Sequence, residues 1–247
     1  MFDDSSSQAL TLDGFRVERR ALGPGDLAVY CLRYQNSNGR FAGVSGDEQR
    51  NAVDVHYSGK MGAIDFDVEA MGQQGRIGTR PVLAWAFGEV SGYTLTHVAW
   101  QPCFSFQVDA ASGNRSGTGT SGTFNPLFPN GSYFNLSGLT GYANFVHLKP
   151  GISIAPGSGL RFQLSAGFQW RQTTQDAIYT FPAQSVANTA GHGSLWSAAY
   201  VQFDAVKQIN ANAALSVEVT CYEVGSTIRQ AGGHDSTYAN FQVSVAW

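Results

Sequence analysis

Three acidic residues at alternate positions, Asp65, Asp67 and Glu69, are the side chains of this sequence best spaced to act together. Paired carboxylates can cleave glycosidic bonds, but they must face each other across the bond and one of them must hold a proton. Alternate residues of a β-strand point to the same face, so these three form a ladder on one side of a strand. Nothing in the sequence places a protonated acid across from them. The spacing therefore favours a charged wall over a catalytic pair.

The sequence carries none of the usual signatures of nucleophilic, metal or phosphate chemistry. Its five histidines lack metal-ligand spacing, and its three cysteines form no CxxC pair. There is no GxSxG motif, and the glycine-rich run at 113–122 contains no lysine, which separates it from a phosphate-binding loop. We therefore expect no enzymatic activity, no cofactor and no metal site.

The composition excludes two further classes of protein. Only 13% of the 247 residues are charged, against about 25% in typical soluble domains. No stretch, however, reaches the roughly 18 apolar residues that a membrane-spanning helix needs. A net charge of −3 with three lysines argues against nucleic acid as a partner, because phosphate contacts need a clustered basic surface. A β-rich chain, with one polar and one apolar side to each strand, remains.

Alternation of apolar and polar residues runs through the whole chain. From Leu160 to Trp170 the even positions are apolar, while the odd positions are polar or glycine. Segments of about 10 to 15 residues exceed the ordinary strand of about 5 to 6 residues, whereas a tilted strand needs about 9 to 11 residues to cross a bilayer. Eleven such segments are predicted, at residues 12–20, 27–36, 52–60, 63–73, 80–91, 97–110, 142–154, 159–172, 195–208, 213–225 and 236–247.

Short turns between these segments alternate with longer polar connections. The longer connections are predicted at residues 37–51, 74–79, 111–141, 173–194 and 226–235. Short turns at one end of the strands and long loops at the other are typical of an outer-membrane β-barrel. The alternative is a soluble β-sandwich or barrel with its apolar faces inward, but its surface would be unusually poor in lysine and glutamate.

Three segments of the sequence resemble a known family. They are GTFNPLFPNGSYF at residues 122–134, GYANFVHLKP at 141–150 and FQWR at 168–171. In this order they are similar to the alginate export family of outer-membrane porins, and the FNPLFP block is the most specific of them. The resemblance implies an antiparallel transmembrane β-barrel in the bacterial outer membrane, eighteen-stranded in the best-known member. It also implies a charged lumen that passes anionic polysaccharide or other small polar solutes.

The strand number predicts that this barrel is incomplete. About 11 to 12 long strands in an all-β antiparallel meander are fewer than the family's eighteen, and bacterial barrels usually have an even number. The chain also begins MFDDSSS, without the basic and apolar regions of a signal peptide. We therefore expect residues 1–247 to form a single barrel region, the C-terminal portion of the alginate export domain, with its signal peptide truncated.

The last predicted strand ends in an aromatic residue. Phe241, Val243 and Val245 alternate with polar residues before the terminal Trp247. This pattern resembles the one by which barrel-insertion machinery recognises its clients. We therefore expect that machinery and outer-membrane lipid to be partners of the protein.

If the apolar face of each strand contacts lipid, the charged residues of the opposite face are expected to line the pore, because a charge at the bilayer midplane costs about 2–4 kcal/mol. We favour the acidic ladder and Arg171 for a role in function, since the planar guanidinium can bind a carboxylate through two hydrogen bonds. The simpler interpretation is that neighbouring charges neutralise each other. The predicted pore-lining residues are Arg16, Arg33, His56, Lys60, Asp65, Asp67, Glu69, Asp109, His147, Lys149, Arg161, Arg171, Asp204 and Glu218.

Two functions remain open from the sequence. The favoured one is an outer-membrane channel for passive export or diffusion of an anionic, alginate-like polysaccharide or of small polar solutes. The alternative is a non-transporting outer-membrane barrel, structural, adhesive or enzymatic, with extracellular binding loops. The connection at 111–141 distinguishes them: a loop folded into the lumen favours the channel, and a loop that stands outward favours binding.

Overall fold

A computed structural model describes residues 9–246. In this part of the chain eleven strands form one antiparallel sheet, in the order in which they occur along the sequence. The predicted all-β meander is therefore confirmed. The strands are β1 (Leu10–Leu22), β2 (Gly25–Phe41), β3 (Val44–Met61), β4 (Ile64–Ile77), β5 (Arg80–Thr94), β6 (Cys103–Ala111), β7 (Phe145–Gly157), β8 (Leu160–Trp170), β11 (Trp196–Asn210), β12 (Ala213–Val224) and β13 (Ser236–Val245).

Smaller elements lie in the connections. A hairpin of β9 (Tyr179–Thr180) and β10 (Gln184–Ser185) precedes β11, and the helix α1 (Ser226–Gln230) follows β12. Within residues 9–246 no helix has the length and apolar character needed to cross a membrane. The predicted last strand extended to Trp247, which lies outside the described residues.

Strand β5 shows how the alternation separates two faces of the sheet. Leu83 and Trp85 are 69% and 45% exposed, whereas Val82 and Ala84 are each 3% exposed. Successive side chains of a strand point to opposite faces, so the large residues occupy one face and the small ones the other. We call the face of Leu83 the outer face and the face of Val82 the inner face.

Large apolar side chains are exposed along the outer face from edge to edge. Phe15, Val53, Phe104, Leu164 and Phe241, on five different strands, are between 50% and 66% exposed. An apolar surface of this extent is unusual for a protein surrounded by water. Apolar side chains and a paired backbone are the two features that a lipid environment requires of a β-sheet.

The inner face is concave. Asp65 on β4 and Arg161 on β8 are separated by three intervening strands but line the same cavity. In a flat sheet, strands about 4.8 Å apart would place these positions about 19 Å from each other. Curvature therefore brings the two strands towards each other across the inner side.

The connections differ from the predicted ones at three places. β2 and β3 continue through residues 37–51 and join at Ala42–Gly43, and β4 and β5 join at 78–79. Both Ala42 and Gly43 have positive φ, which suits a tight hairpin turn. Conversely, the connection at 95–102 is longer than predicted. Polar residues at 37–51 suggested a loop, but backbone pairing does not require apolar side chains and the strands extend beyond the apolar part of the sheet.

The sheet is open in the described residues. β1 and β13 are its two edge strands, and all thirteen residues of β1 are exposed. An open sheet agrees with the prediction of an incomplete barrel.

Candidate pore lining and the inner loop

The strand register brings most of the predicted pore-lining residues to one face. Residues directly opposite each other in neighbouring strands share a face, and the pairs run from Arg16–Tyr30 through His56–Glu69 to Asp204–Glu218. The predicted residues on the inner face are Arg16, His56, Lys60, Asp65, Asp67, Glu69, Asp109, His147, Lys149, Arg161, Asp204 and Glu218.

Arg33 is the exception among the strand residues. It lies opposite Asn51 and shares the outer face with Val29 and Cys31. Both faces of residues 27–32 are apolar in sequence, so alternation does not indicate which face Arg33 belongs to. Its assignment to the pore lining is therefore corrected by the register.

The connection between β6 and β7, residues 112–144, folds onto the inner face, and we call it the inner loop. Its Tyr133 hydroxyl donates a 2.7 Å hydrogen bond to Asp109 Oδ1, and Tyr142 donates to the same oxygen at 3.4 Å. Burial, and then the charge of Asp109, raise the pKa of both phenols. The two tyrosines therefore remain protonated donors, and Asp109 anchors the loop to β6.

Further hydrogen bonds tie the inner loop to strands on both sides of β6. The side chain of Gln73 on β4 donates to the Asn125 carbonyl at 2.6 Å and accepts from the Asn125 amide at 3.2 Å. Asn135 Nδ2 donates to the Tyr222 hydroxyl on β12 at 2.7 Å. The Leu136 amide donates to Glu218 Oε1 at 2.8 Å. The loop thus reaches across the concave face from β4 to β12.

An aromatic cluster fills the space between the inner loop and the sheet. Phe124 and Phe134 of the loop pack with Phe145 of β7 and with Ala84 and Ala86 of β5. Small residues on β5 leave room for the rings, and the packed aromatic pairs add to the stability of the burial. The small inner-face residues of β5 and the large loop aromatics are therefore complementary.

Two predicted pore-lining residues, His147 and Lys149, are engaged beneath the inner loop. His147 Nδ1 lies 2.9 Å from Asp109 Oδ2, and its Nε2 lies 3.0 Å from the Tyr200 hydroxyl. Lys149 Nζ donates to the Phe134 carbonyl at 2.6 Å and to Gln202 Oε1 at 2.8 Å. Both side chains are buried. Lys149 joins the inner loop to the sheet, His147 joins β6 to β11, and neither side chain projects into open space.

Arg171 also has an internal role. Arg171 is 2% exposed. Its guanidinium lies inside the connection 171–195, where Nη1 donates to the Thr189 carbonyl and Nη2 to the His192 carbonyl, both at 2.6 Å. Burial lowers its pKa, and the charge of Asp176 opposes that shift. All three nitrogens donate to carbonyl oxygens; the accepting residues are Thr174, Asp176, Thr189, His192 and Ser194.

The three residues of the acidic ladder, Asp65, Asp67 and Glu69, are exposed on the inner face. His56 Nε2 is 2.9 Å from Asp67 Oδ1, and Lys60 lies opposite Asp65 in the register. Glu69 borders a cavity of about 240 Å³ beside the loop aromatics, and Asp65 borders a second one of about 180 Å³. These carboxylates are therefore accessible to a solute on the inner face.

The sequence did not indicate the buried pair Glu48 and Arg50. Arg50 Nε is 2.5 Å from Glu48 Oε1, and its Nη1 donates to Gln73 Oε1 at 3.1 Å. Residues 37–51 were predicted to be a loop, which hid this pair. Glu48 and Arg50 share a face with the even-numbered residues of 52–60, but their neighbours Gln49 and Asn51 are also polar, so the apolar–polar contrast is absent there.

No group of three or more histidine, cysteine, aspartate or glutamate side chains within residues 9–246 is arranged to hold a metal ion. The candidate site is a polar, charged surface on the inner face of the sheet, and the inner loop covers part of it.

A comparison with family models gives a match over nearly the whole chain. The model described as alginate export matches residues 1–242. The matched region includes β1 to β12, the inner loop and the acidic ladder. No curated protein matches the chain.

Proposed function

The chain belongs to the alginate export family of outer-membrane channels, and on that premise we propose that its sheet forms part of the wall of a passive channel. An anionic polysaccharide or small polar solutes cross the membrane along the charged inner face. The family is one of transport channels, not of enzymes.

The position of the inner loop is the observation that carries this proposal. It contacts β4 through Gln73, β6 through Asp109 and β12 through Tyr222. A loop held on the polar face narrows the space through which solutes pass, as channel constrictions do. A loop standing away from the sheet would instead have favoured a barrel that only binds partners.

The proposal is tested by conductance of the intact protein, purified from outer membranes and reconstituted into planar bilayers. We expect discrete conductance steps at a fixed voltage, and swelling of liposomes in a neutral sugar. Protein that is inserted into the bilayer but passes neither ions nor sugar would contradict the proposed function.

The outer face is expected to reject charge. Leu164→Lys places an ammonium group on the outer face of β8, where we expect a loss of stability of about 2–4 kcal/mol if the position is near the bilayer midplane. Gln163→Lys, one residue away on the inner face and opposite Asp204, is the matched control and should have little effect. Urea unfolding of both variants in lipid vesicles measures the difference, and equal stabilities would argue against lipid on the outer face.

The last strand supports two further partners within the same proposal. Phe241, Val243 and Val245 are exposed on the outer face of β13, which suits contact with outer-membrane lipid. The same alternating apolar side chains are available for recognition by the barrel-insertion machinery. Trp247 lies beyond the described residues and adds no geometric support.

A further inference from the structure

The outer face changes from apolar to polar at one end of β2, β3 and β4. In the register, Cys31 of β2, Val53 of β3 and Gly72 of β4 form one row across these strands. The exposed Trp85 of β5 continues that row. In the next two outer-face rows, arginines and amides replace the apolar side chains: Arg33, Asn51 and Gln74, then Gln35, Gln49 and Arg76. A transition of this kind, with tryptophan at its border, is typical of the level at which the apolar core of a membrane meets the lipid headgroups.

The two polar rows lie at the end of the sheet from which the long connections leave. The inner loop and the connections 171–195 and 225–235 all start at this end, whereas the connections at the opposite end have eight residues or fewer. In outer-membrane barrels the long loops are extracellular and the short turns periplasmic. The polar rows therefore border the outer leaflet of the membrane.

The charge of these rows is positive and unpaired. Arg33 and Arg76 are exposed, and neither takes part in an ion pair within residues 9–246. Carboxylates occupy two neighbouring outer-face positions, Asp13 opposite Arg33 and Asp47 two residues beyond Gln49. Neither carboxylate forms an ion pair with these arginines, so both guanidinium groups are available to an external anion.

The spacing of the two arginines allows them to act on the same ligand. Two strand spacings of about 4.8 Å and two residues of about 3.4 Å rise place their Cα atoms about 12 Å apart. Two extended arginine side chains can meet over this distance, and the amides of Gln49 and Asn51 lie between them in the register. A guanidinium binds phosphate through two parallel hydrogen bonds, and each side-chain amide offers two further N–H donors.

We propose that Arg33 and Arg76 bind the phosphate groups of a lipid in the outer leaflet, while the acyl chains of that lipid lie against the apolar rows next to them. A lipid fits this surface because cationic donors and exposed apolar side chains adjoin on one face, and basic residues at a membrane surface attract anionic headgroups. This inference goes beyond the proposed channel function. It depends on the location in the outer membrane, but not on passage of solutes.

Lipid binding is measured by native mass spectrometry of the intact protein, purified from outer membranes and freed of lipid in a nonionic detergent. The probe is lipid A, a phosphorylated glycolipid of the outer leaflet, which we expect to bind more tightly than the same lipid without its phosphates. Each arginine near a membrane surface contributes about fivefold in affinity. Arg33→Gln and Arg76→Gln should therefore each weaken binding about fivefold, and the double variant about thirtyfold, with loss of the preference for phosphate.

Arg19→Gln is the matched control, because Arg19 is also exposed on the outer face but lies near the short turn between β1 and β2. It should bind lipid A as the unmodified protein does. Circular dichroism and conductance verify that each variant is folded. Unchanged affinity in the double variant, an equal loss in Arg19→Gln, or displacement of lipid A by an equal concentration of inorganic phosphate would overturn this inference and leave the proposed function in place. Absence of conductance with lipid binding intact would overturn the proposed function alone.

Discussion

Asp109→Ala is expected to raise the conductance of the reconstituted protein severalfold and to lower its free energy of unfolding by about 3–5 kcal/mol. Asp109 is fully buried and accepts hydrogen bonds from Gln107, Tyr133 and Tyr142, while His147 lies 2.9 Å away. Alanine leaves these polar groups without their common partner. The inner loop then loses its attachment to β6, and the space beside the wall widens.

Single-channel recordings and urea unfolding measure the two effects. Asp109→Asn retains an oxygen that can accept from Tyr133, so we expect a smaller change in both quantities. Asp204→Asn is the control for loss of charge, since the hydrogen bonds of the Asp204 carboxylate in the described chain come from Gln202. A conductance of Asp109→Ala equal to that of the unmodified protein would contradict the prediction. It would mean that the contacts of Gln73 and Tyr222 hold the inner loop in place without Asp109.

Arg171→Ala is expected to destabilise the connection 171–195 by at least about 3 kcal/mol, because several buried carbonyl oxygens lose a charged donor and find no other. The change is local, since these carbonyls belong to the connection itself. Rapid cleavage of this segment by added protease, with the strands left intact, is the expected observation. The permeability ratio of cations to anions should stay as it is, because Arg171 faces backbone and not solute.

Arg171→Lys separates charge from geometry in this prediction. Lysine keeps the positive charge but cannot direct donors to carbonyls on several sides as the planar guanidinium does, so we expect intermediate protease sensitivity. A marked change of reversal potential in Arg171→Ala with the connection still resistant to protease would contradict the internal role. It would instead support the solute-binding role that the sequence suggested for Arg171.

The strands were predictable because their cause is local. In residues 160–170 the apolar side chains alternate with the polar ones, so alternation alone predicts both the strand and which side chains belong on the outer or the inner face. Where that contrast disappears, the face of a residue could not be inferred. Arg33 follows residues 27–32, which are apolar on both faces of the strand. The polar ends of β2 and β3 were missed for the related reason that alternation of two polar faces leaves no signal.

The arrangement of the inner loop could not be inferred, because its contacts join residues far apart in sequence. Asn135 and Tyr222 are 87 positions apart, and neither residue type indicates the other. Arg171 illustrates the same limit: its position after an alternating strand indicates a polar environment, but not that the chain after it supplies carbonyls on several sides. The sequence predicts the wall, whereas long-range hydrogen bonds decide which of its charges stay accessible.

The uneven lengths of the connections favour a particular order of assembly. β1 to β5 are joined by turns of two residues, so each hairpin forms by local contacts with little entropy lost in closing its loop. Pairing of β6 with β7 must close residues 112–144, which is slower because the contacts are less local. The loop itself can dock only once β4, β6 and β12 are all in place. We therefore expect the wall to form first and the passage to narrow in the final step of folding.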